Sequence, residues 1–338
     1  MKSYLLKESD LNVLLECEDL EGVSRILENT PYRDEIAVVP IEMVTSLDLE
    51  KAFTKNFLKT FGEIWEHSSE DLKIILDDIL RKFEVENVKA ILHAKMAELD
   101  VDEALRFIIP IRHYDEIACK NLLEKTRTVE DVVKLMAETE YGQVLQGALK
   151  TYKETGLLMP LESALDDYVV RKLWQDVHEL KGVDIRVAKE ILGTEIDMLN
   201  IKIILRCKAL EMDEDFIRRL VLPIHYALTK EDLESGIMAI DVEDAISTLM
   251  VKGYKKWMAE ALREYRASKS ALAVEIVLDK LLLKTNQAIF IKYPSPFHIG
   301  VILAFLNLKW FELKNLRAIV TGKENKVPSE KIKNVLIV

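Results

Sequence analysis

The chain repeats itself. When NVKAILHAKMAELDVDEALRFIIPI (Asn87 to Ile111) is set above NIKIILRCKALEMDEDFIRRLVLPI (Asn200 to Ile224), 11 of 25 positions are identical without a gap. Ordinary residue usage would give roughly one or two. The matches include Asn87/Asn200, Lys89/Lys202, Lys95/Lys208, Asp100/Asp213, Asp102/Asp215 and Pro110/Pro223. The same spacing of 113 residues carries Thr128-Val-Glu-Asp131 onto Asp241-Val-Glu-Asp244, and Tyr141 onto Tyr254. A third copy of this downstream half ends at Tyr32, 109 residues before Tyr141, and a third copy of the upstream half begins at His298. Half-repeats therefore tile the chain three times. Each full copy runs to about a hundred residues, far beyond the roughly 20–50 of solenoid repeats.

The period inside each copy is helical. Apolar residues recur three and four apart, as at Leu72, Ile75, Leu76, Ile79 and Leu80, or Val129, Val132, Val133 and Met136. Strand-like alternation is nearly absent, and 11 Gly and 8 Pro in 338 residues leave little material for turns. The expected fold class is all-α, with roughly three-quarters of the residues helical against the usual third. Asp19, Thr128 and Asp241 each precede an apolar helical pattern and are expected N-caps. Segments 87–99 and 200–212 are apolar on nearly every face, the mark of a central buried helix. Three such modules suggest a pseudo-threefold body with a concave face, divided into 1–38 plus 39–109, 110–222 and 223–338.

Charge and cysteine content exclude several functions. A net charge of −11 argues against a nucleic-acid partner, which needs clustered Lys and Arg. Cys17, Cys119 and Cys207 are far apart and odd in number, so neither a disulfide framework nor a zinc site is expected, but reduced core thiols. Only four Gln stand against abundant Lys and Glu, a mix that leans towards a thermophilic source. The opening MKSYLLKESD has no long apolar run or small-residue cleavage site, so no signal peptide is expected. The most apolar stretch, Ile299 to Leu306, is far short of the roughly 20 residues that span a bilayer.

Enzyme signatures are missing. No Gly-rich phosphate loop occurs; Thr321-Gly322-Lys323 follows a helical pattern, with Gly322 expected as a helix C-cap and Lys323 beside the helix's negative end. None of the six His pairs with another His or a Cys at i, i+4, so no metal is expected. Asp100, Asp102, Glu103 and Asp213, Glu214, Asp215 are read as acids opening the next helix rather than as a catalytic cluster. Trp65, Trp174, Trp257 and Trp310 fall on helical patterns and are expected in the core. The prolines of Tyr293-Pro-Ser-Pro-Phe297 set up an extended approach to the last unit's central helix.

The C-terminal segment carries a resemblance. Pro296, Phe297, Ile299 and Gly300 open an apolar helix. Lys309, Glu312, Asn315, Leu316, Arg317, Ile319, Gly322 and Lys323 follow, then Pro328 and a last helix. This pattern resembles the end of the C subunit of A-type (A/V-type) ATP synthases, a family related to the d subunit of V-ATPases. Asp197 to Lys202 and Glu86-Asn87-Val88-Lys89 look like the family's acid–Asn–apolar–Lys pattern, and the triple repeat is its hallmark. The sequence departs at Phe311, Leu313 and Lys314, where the family varies. It departs most at its start, where Met1 to Lys7 stand in place of an aromatic- and Arg-rich helix.

The resemblance implies a funnel-shaped, non-catalytic coupler. Its partners would be the central-stalk shaft subunits and the membrane rotor (proteolipid) ring, with no cofactor, small-molecule substrate or membrane span of its own. It would sit peripherally on the cytoplasmic side of the cell membrane through the ring. The alternative is a free-standing helical-repeat scaffold for regulatory partners. The residues just after the repeated Pro-Ile, Arg112, His113, Tyr114, His225 and Tyr226, are the candidates for partner contact.

Overall fold

The computed structural model describes residues 4–39, 43–295 and 297–338, and 75% of the chain is helical. The first helices are α1 (Glu8–Glu16), α2 (Leu20–Leu27), α3 (Arg33–Ile36) and α4 (Ser46–Glu66). Next come α5 (Glu70–Met96), α6 (Val101–Leu105), α7 (Glu116–Lys125), α8 (Val129–Leu135), α9 (Glu140–Thr155) and α10 (Met159–Glu179). The following set is α11 (Gly182–Ala209), α12 (Glu214–Leu220), α13 (Lys230–Met238), α14 (Val242–Thr248), α15 (Lys255–Ser268) and α16 (Ala271–Lys292). The chain ends with α17 (Ile299–Glu324) and α18 (Ser329–Val335). Among the described residues there is no strand, only one bridge between Ile111 and Tyr114. The all-α expectation holds.

The helices start where short polar side chains can hold free amides. Asp19 accepts from the Gly22 N–H, Thr128 from Asp131 and Asp241 from Asp244. Asp100 and Asp213 do the same for α6 and α12, accepting from Glu103 and Phe216. Each such cap stabilises its helix by about 1 kcal/mol. Asp102, Glu103, Glu214 and Asp215 stand in the first turns of the same two helices, as expected of acids that open a helix.

The same contacts recur at repeat-equivalent positions. The longest helices, α5, α11 and α17, lie at the centre, and α10 packs on α5, α16 on α11 and α4 on α17. Each central helix carries a buried Asn that clamps backbone 22 residues downstream. Asn87 Oδ1 accepts from the Ile109 N–H, Asn200 Oδ1 from Leu222 and Asn315 Oδ1 from Ile337, each at 2.8 Å. The three Nδ2 groups donate to the Ile109, Leu222 and Ile337 carbonyls. Apolar faces around the clamps explain why one polar residue is retained there: an unpaired backbone amide at such depth would cost about 1–3 kcal/mol.

The third copy is completed by the start of the chain. Besides α4, α1 and α2 pack on α17, and α1 also on α18. Lys323 Nζ donates to the Leu15 carbonyl at 2.6 Å, and Ser46 Oγ to Glu324 Oε2 at 2.6 Å. Each central helix is therefore packed by the half-repeat that follows it in sequence, and the last one by the first segment.

Some expectations change. Gly322 is not a C-cap: α17 runs on to Glu324, and Gly322 sits in its last turn where Ile332 Cδ1 would lie 2.6 Å from an added Cβ. Met96, near the end of the apolar stretch, is half exposed. Trp65 is an exposed residue whose Nε1 donates to Asp77, and Trp174, Trp257 and Trp310 are half-buried. Cys119 and Cys207 are buried free thiols, whereas Cys17 is half-buried. Pro296 lies outside the described residues.

Candidate functional site: buried carboxylate posts and a central cavity

Three residues before each clamp Asn stands a buried acid: Glu84, Asp197 and Glu312. Each accepts a hydrogen bond from the repeat-equivalent tyrosine. Tyr141 Oη reaches Glu84 at 2.6 Å, Tyr254 Oη reaches Asp197 at 2.7 Å and Tyr32 Oη reaches Glu312 at 2.6 Å. Burial and the adjacent carboxylate push all three phenols well above the ordinary tyrosine range, so they remain donors. Hydrogen bonds to a charged group contribute about 1.5–3 kcal/mol each.

The posts differ in how the acid's remaining charge is met. Asp197 accepts backbone N–H groups from Tyr226, Ala227 and Leu228 at 2.8, 2.6 and 3.1 Å. Glu312 accepts from the Leu6 N–H and from Lys309 Nζ at 2.7 Å. Lys309 also lies 4.0 Å over the Tyr32 ring, and burial pulls its pKa down against the opposing pull of Glu312. Glu84 has Arg112 Nε at 3.9 Å and His113 Nδ1 at 3.4 Å.

That geometry places the candidate partner residues. Arg112, at a left-handed φ of 47°, wraps back to donate to the Asp77 carbonyl at 3.2 Å. His113 is 80% exposed at its side chain above Glu84. Tyr114 is turned inward: it is buried, and its ring packs on Tyr141 with centroids 5.7 Å apart. His225 and Tyr226 are exposed above the Asp197 post. The Tyr226 ring lies on α11 where Gly193 makes room, since a Cβ there would meet Cγ of the ring at 2.4 Å. The two clusters thus cap equivalent posts on different central helices.

Sequence reading missed the space between those helices. A cavity of about 250 Å³ is lined by α5, α11 and α17 together with α10 and α16. Lys82, Glu195 and Trp310, each five residues before a clamp Asn, all face it. Lys82 Nζ pairs directly with Glu195 Oε1. Trp310 packs its ring against Phe83, centroids 4.9 Å apart. The ion pair ties α5 to α11, and the ring contact ties α17 to α5. Opposite charges at one register of two repeat-equivalent helices, Lys82 and Glu195, were the available signal. Among the described residues no group of three His, Cys, Asp or Glu is placed to hold a metal ion, and no helix is long and apolar enough to cross a membrane.

Comparison with known proteins converges on one family. The family model for the ATP synthase (C/AC39) subunit matches residues 1–335. The C subunit of the A-type ATP synthase of Methanocaldococcus jannaschii is 31% identical over 336 residues, covering 99% of this chain and 83% of that protein. The protein of the same name from Methanosphaera stadtmanae is 29% identical, covering 98% and 84%. That from Archaeoglobus fulgidus is 28% identical, covering 100% and 93%. With its repeats, its clamped central helices and this end-to-end match, the chain belongs to the ATP synthase (C/AC39) subunit family.

Proposed function

We propose that this chain is the central-stalk coupler of a rotary A-type ATP synthase, joining the stalk shaft to the membrane rotor ring and transmitting torque for proton or sodium transport. The observation that carries the reading is the family match across residues 1–335. The packing supports it: long helices, buried polar clamps and closure of the first segment on the last make a body that resists shear. On this reading the chain does no bond chemistry. It binds neither nucleotide nor nucleic acid, and it sits on the cytoplasmic side of the membrane through the ring.

We further propose that the three modules form a pseudo-threefold funnel. The sequence division at 1–109, 110–222 and 223–338 counts the modules. The contacts favour grouping them from each central helix onward, as α5–α10, α11–α16, and α17–α18 with α1–α4. Arg112, His113, His225 and Tyr226 are proposed partner contacts, with Tyr114 behind them as packing support.

Affinity purification of the tagged chain, with cross-linking from cysteines placed at His113 and His225, tests this. Recovery of rotor proteolipids and stalk subunits, with cross-links to one of them, is the expected result. Recovery of unrelated regulatory proteins alone would favour a free-standing scaffold, and ATP hydrolysis by the isolated chain would favour an enzyme. Either would overturn the reading.

A further inference from the structure

The third copy departs from its sisters at one half-buried position. Two residues after the clamp Asn, Lys89 of α5 reaches Asp166 of α10 at 2.5 Å, and Lys202 of α11 reaches Asp279 of α16 at 2.6 Å. The matching residue of α17 is Arg317, and the matching position of α4 holds Thr54 instead of an acid. Arg317 Nη2 donates to Thr54 Oγ1 at 2.9 Å, while its Nε is buried without a hydrogen-bond partner. Glu50 is the acid acting on it. Its Oε1 accepts from Thr321 Oγ1 at 2.9 Å, and it does not offset the burial, which pulls the guanidinium's pKa below its ordinary value. A half-buried cation, its Nε unpaired, that faces a hydroxyl where its sisters face a carboxylate is a costly arrangement to retain.

Arg317 also opens on space. A cavity of about 750 Å³ lies between α4 and α6, with Lys51 and Lys55 along its α4 wall one turn apart. Two other cations on the wall are engaged: Lys59 with Asp34 at 3.3 Å, and Arg106 with Glu324 at 3.7 Å. The acids facing the cavity are Glu50, Asp102 and Glu116. The matching helices at the next boundary, α10 of the first copy and α12 of the second, pack directly on each other.

We propose that this cleft binds a small oxyanion, the carboxylate of an organic acid or the phosphate of an ester, which meets Arg317 where Asp166 and Asp279 meet the sister lysines. A guanidinium suits this better than an ammonium, because its planar fork engages two oxygens of one carboxylate or phosphate. Lys51 and Lys55 supply the remaining charge at the mouth. The volume matches that of pockets for small organic ligands, roughly 300–1,000 Å³.

The test uses the isolated full chain and is independent of the coupler reading. Thermal unfolding and calorimetric titration are followed with inorganic phosphate, with succinate, and with potassium chloride at matched ionic strength. A saturable rise in Tm of about 3 °C or more with phosphate or succinate, absent with chloride, is expected. Stronger binding of one probe assigns the source as ester or organic acid. Thr54→Asp restores the sister pairing, so it should raise Tm without ligand and abolish the response. The exposed double variant Lys51→Ala/Lys55→Ala should weaken binding about tenfold. The proposal is overturned if neither probe exceeds chloride, or if Thr54→Asp responds like the wild type. Cross-linking at Lys55 in the assembled complex that captures an acidic polypeptide in the cleft would also overturn it.

Discussion

Replacing Asn200 by Leu tests the clamp that recurs in all three copies. The side chain is fully buried, and leucine is close to it in size, so little cavity is left. Three hydrogen bonds disappear: Leu222 N–H to Oδ1 at 2.8 Å, and Nδ2 to the Leu222 and Ile224 carbonyls at 3.3 and 3.0 Å. The buried amide then has no acceptor, costing about 1–3 kcal/mol. The carbonyls retain part of their bonding capacity, so about 1 kcal/mol each is a fair addition. Apolar gain from leucine offsets about 1 kcal/mol. The net loss is about 3 kcal/mol, a large share of the roughly 5–15 kcal/mol that holds a folded protein together. Urea unfolding should show a lower midpoint with an unchanged slope. Asn87→Leu, which also loses three hydrogen bonds, should cost about the same, and Asn315→Leu, which loses two, about 1 kcal/mol less. A loss under 1 kcal/mol, or losses differing several-fold among the three, would refute the argument that these residues do one job three times.

Further substitutions probe other links. Gly142→Ala would place its Cβ 1.8 Å from the Met136 carbonyl oxygen, a backbone atom that cannot step aside, and should cost about 3 kcal/mol by chemical denaturation. Gly147→Ala, in the same helix and facing open space, should stabilise by about 0.5–1 kcal/mol. Asp78 of α5 is buried, with its Oδ2 lacking a hydrogen-bond donor and facing Asp176 of α10. Burial first, and Asp176 second, push its pKa up to about 7 despite Lys172 and Arg81. A raised carboxyl pKa means the folded state holds a proton that the unfolded chain releases, so this contribution is full below about pH 4 and lost as pH rises to about 7. Asp78→Asn should therefore flatten the pH profile of Tm over that window and raise Tm at pH 8. Tyr32→Phe leaves Glu312 without its hydroxyl donor and should speed amide exchange in α1–α4 more than in α11–α16.

The helical class and the repeat were legible because both leave periodic traces: the three-and-four spacing of apolar residues, and identities at a fixed offset. Caps at Asp19, Thr128 and Asp241 were legible because an N-cap acts within three residues of itself. The posts were not. Tyr141 finds Glu84 57 residues back, and Tyr32 finds Glu312 280 residues ahead, and such pairings obey no local rule. Asn87 and Asn200 did stand out as identical polar residues on otherwise apolar helices, a sign that each must be bonded. The partner candidates were chosen only from their position after the repeated Pro-Ile. Position alone could not separate buried Tyr114 from exposed His113, because the left-handed turn at Arg112 decides which side chain faces inward.

Packing the first segment against the last also sets a timetable for synthesis. Glu66, the end of α4, leaves the ribosome 258 residues before Glu324, the end of α17. At about 5–20 residues per second that is a wait of roughly 13–50 s. For that interval Leu49, Phe53 and Phe57, all buried in the finished molecule, lack the cover of α17 and have only partners nearer in sequence, such as Tyr32 beside Phe53 and Phe83 beside Phe57. The nascent chain should then depend on holding chaperones longest at its beginning, and a slow codon run before α17 would lengthen that exposure.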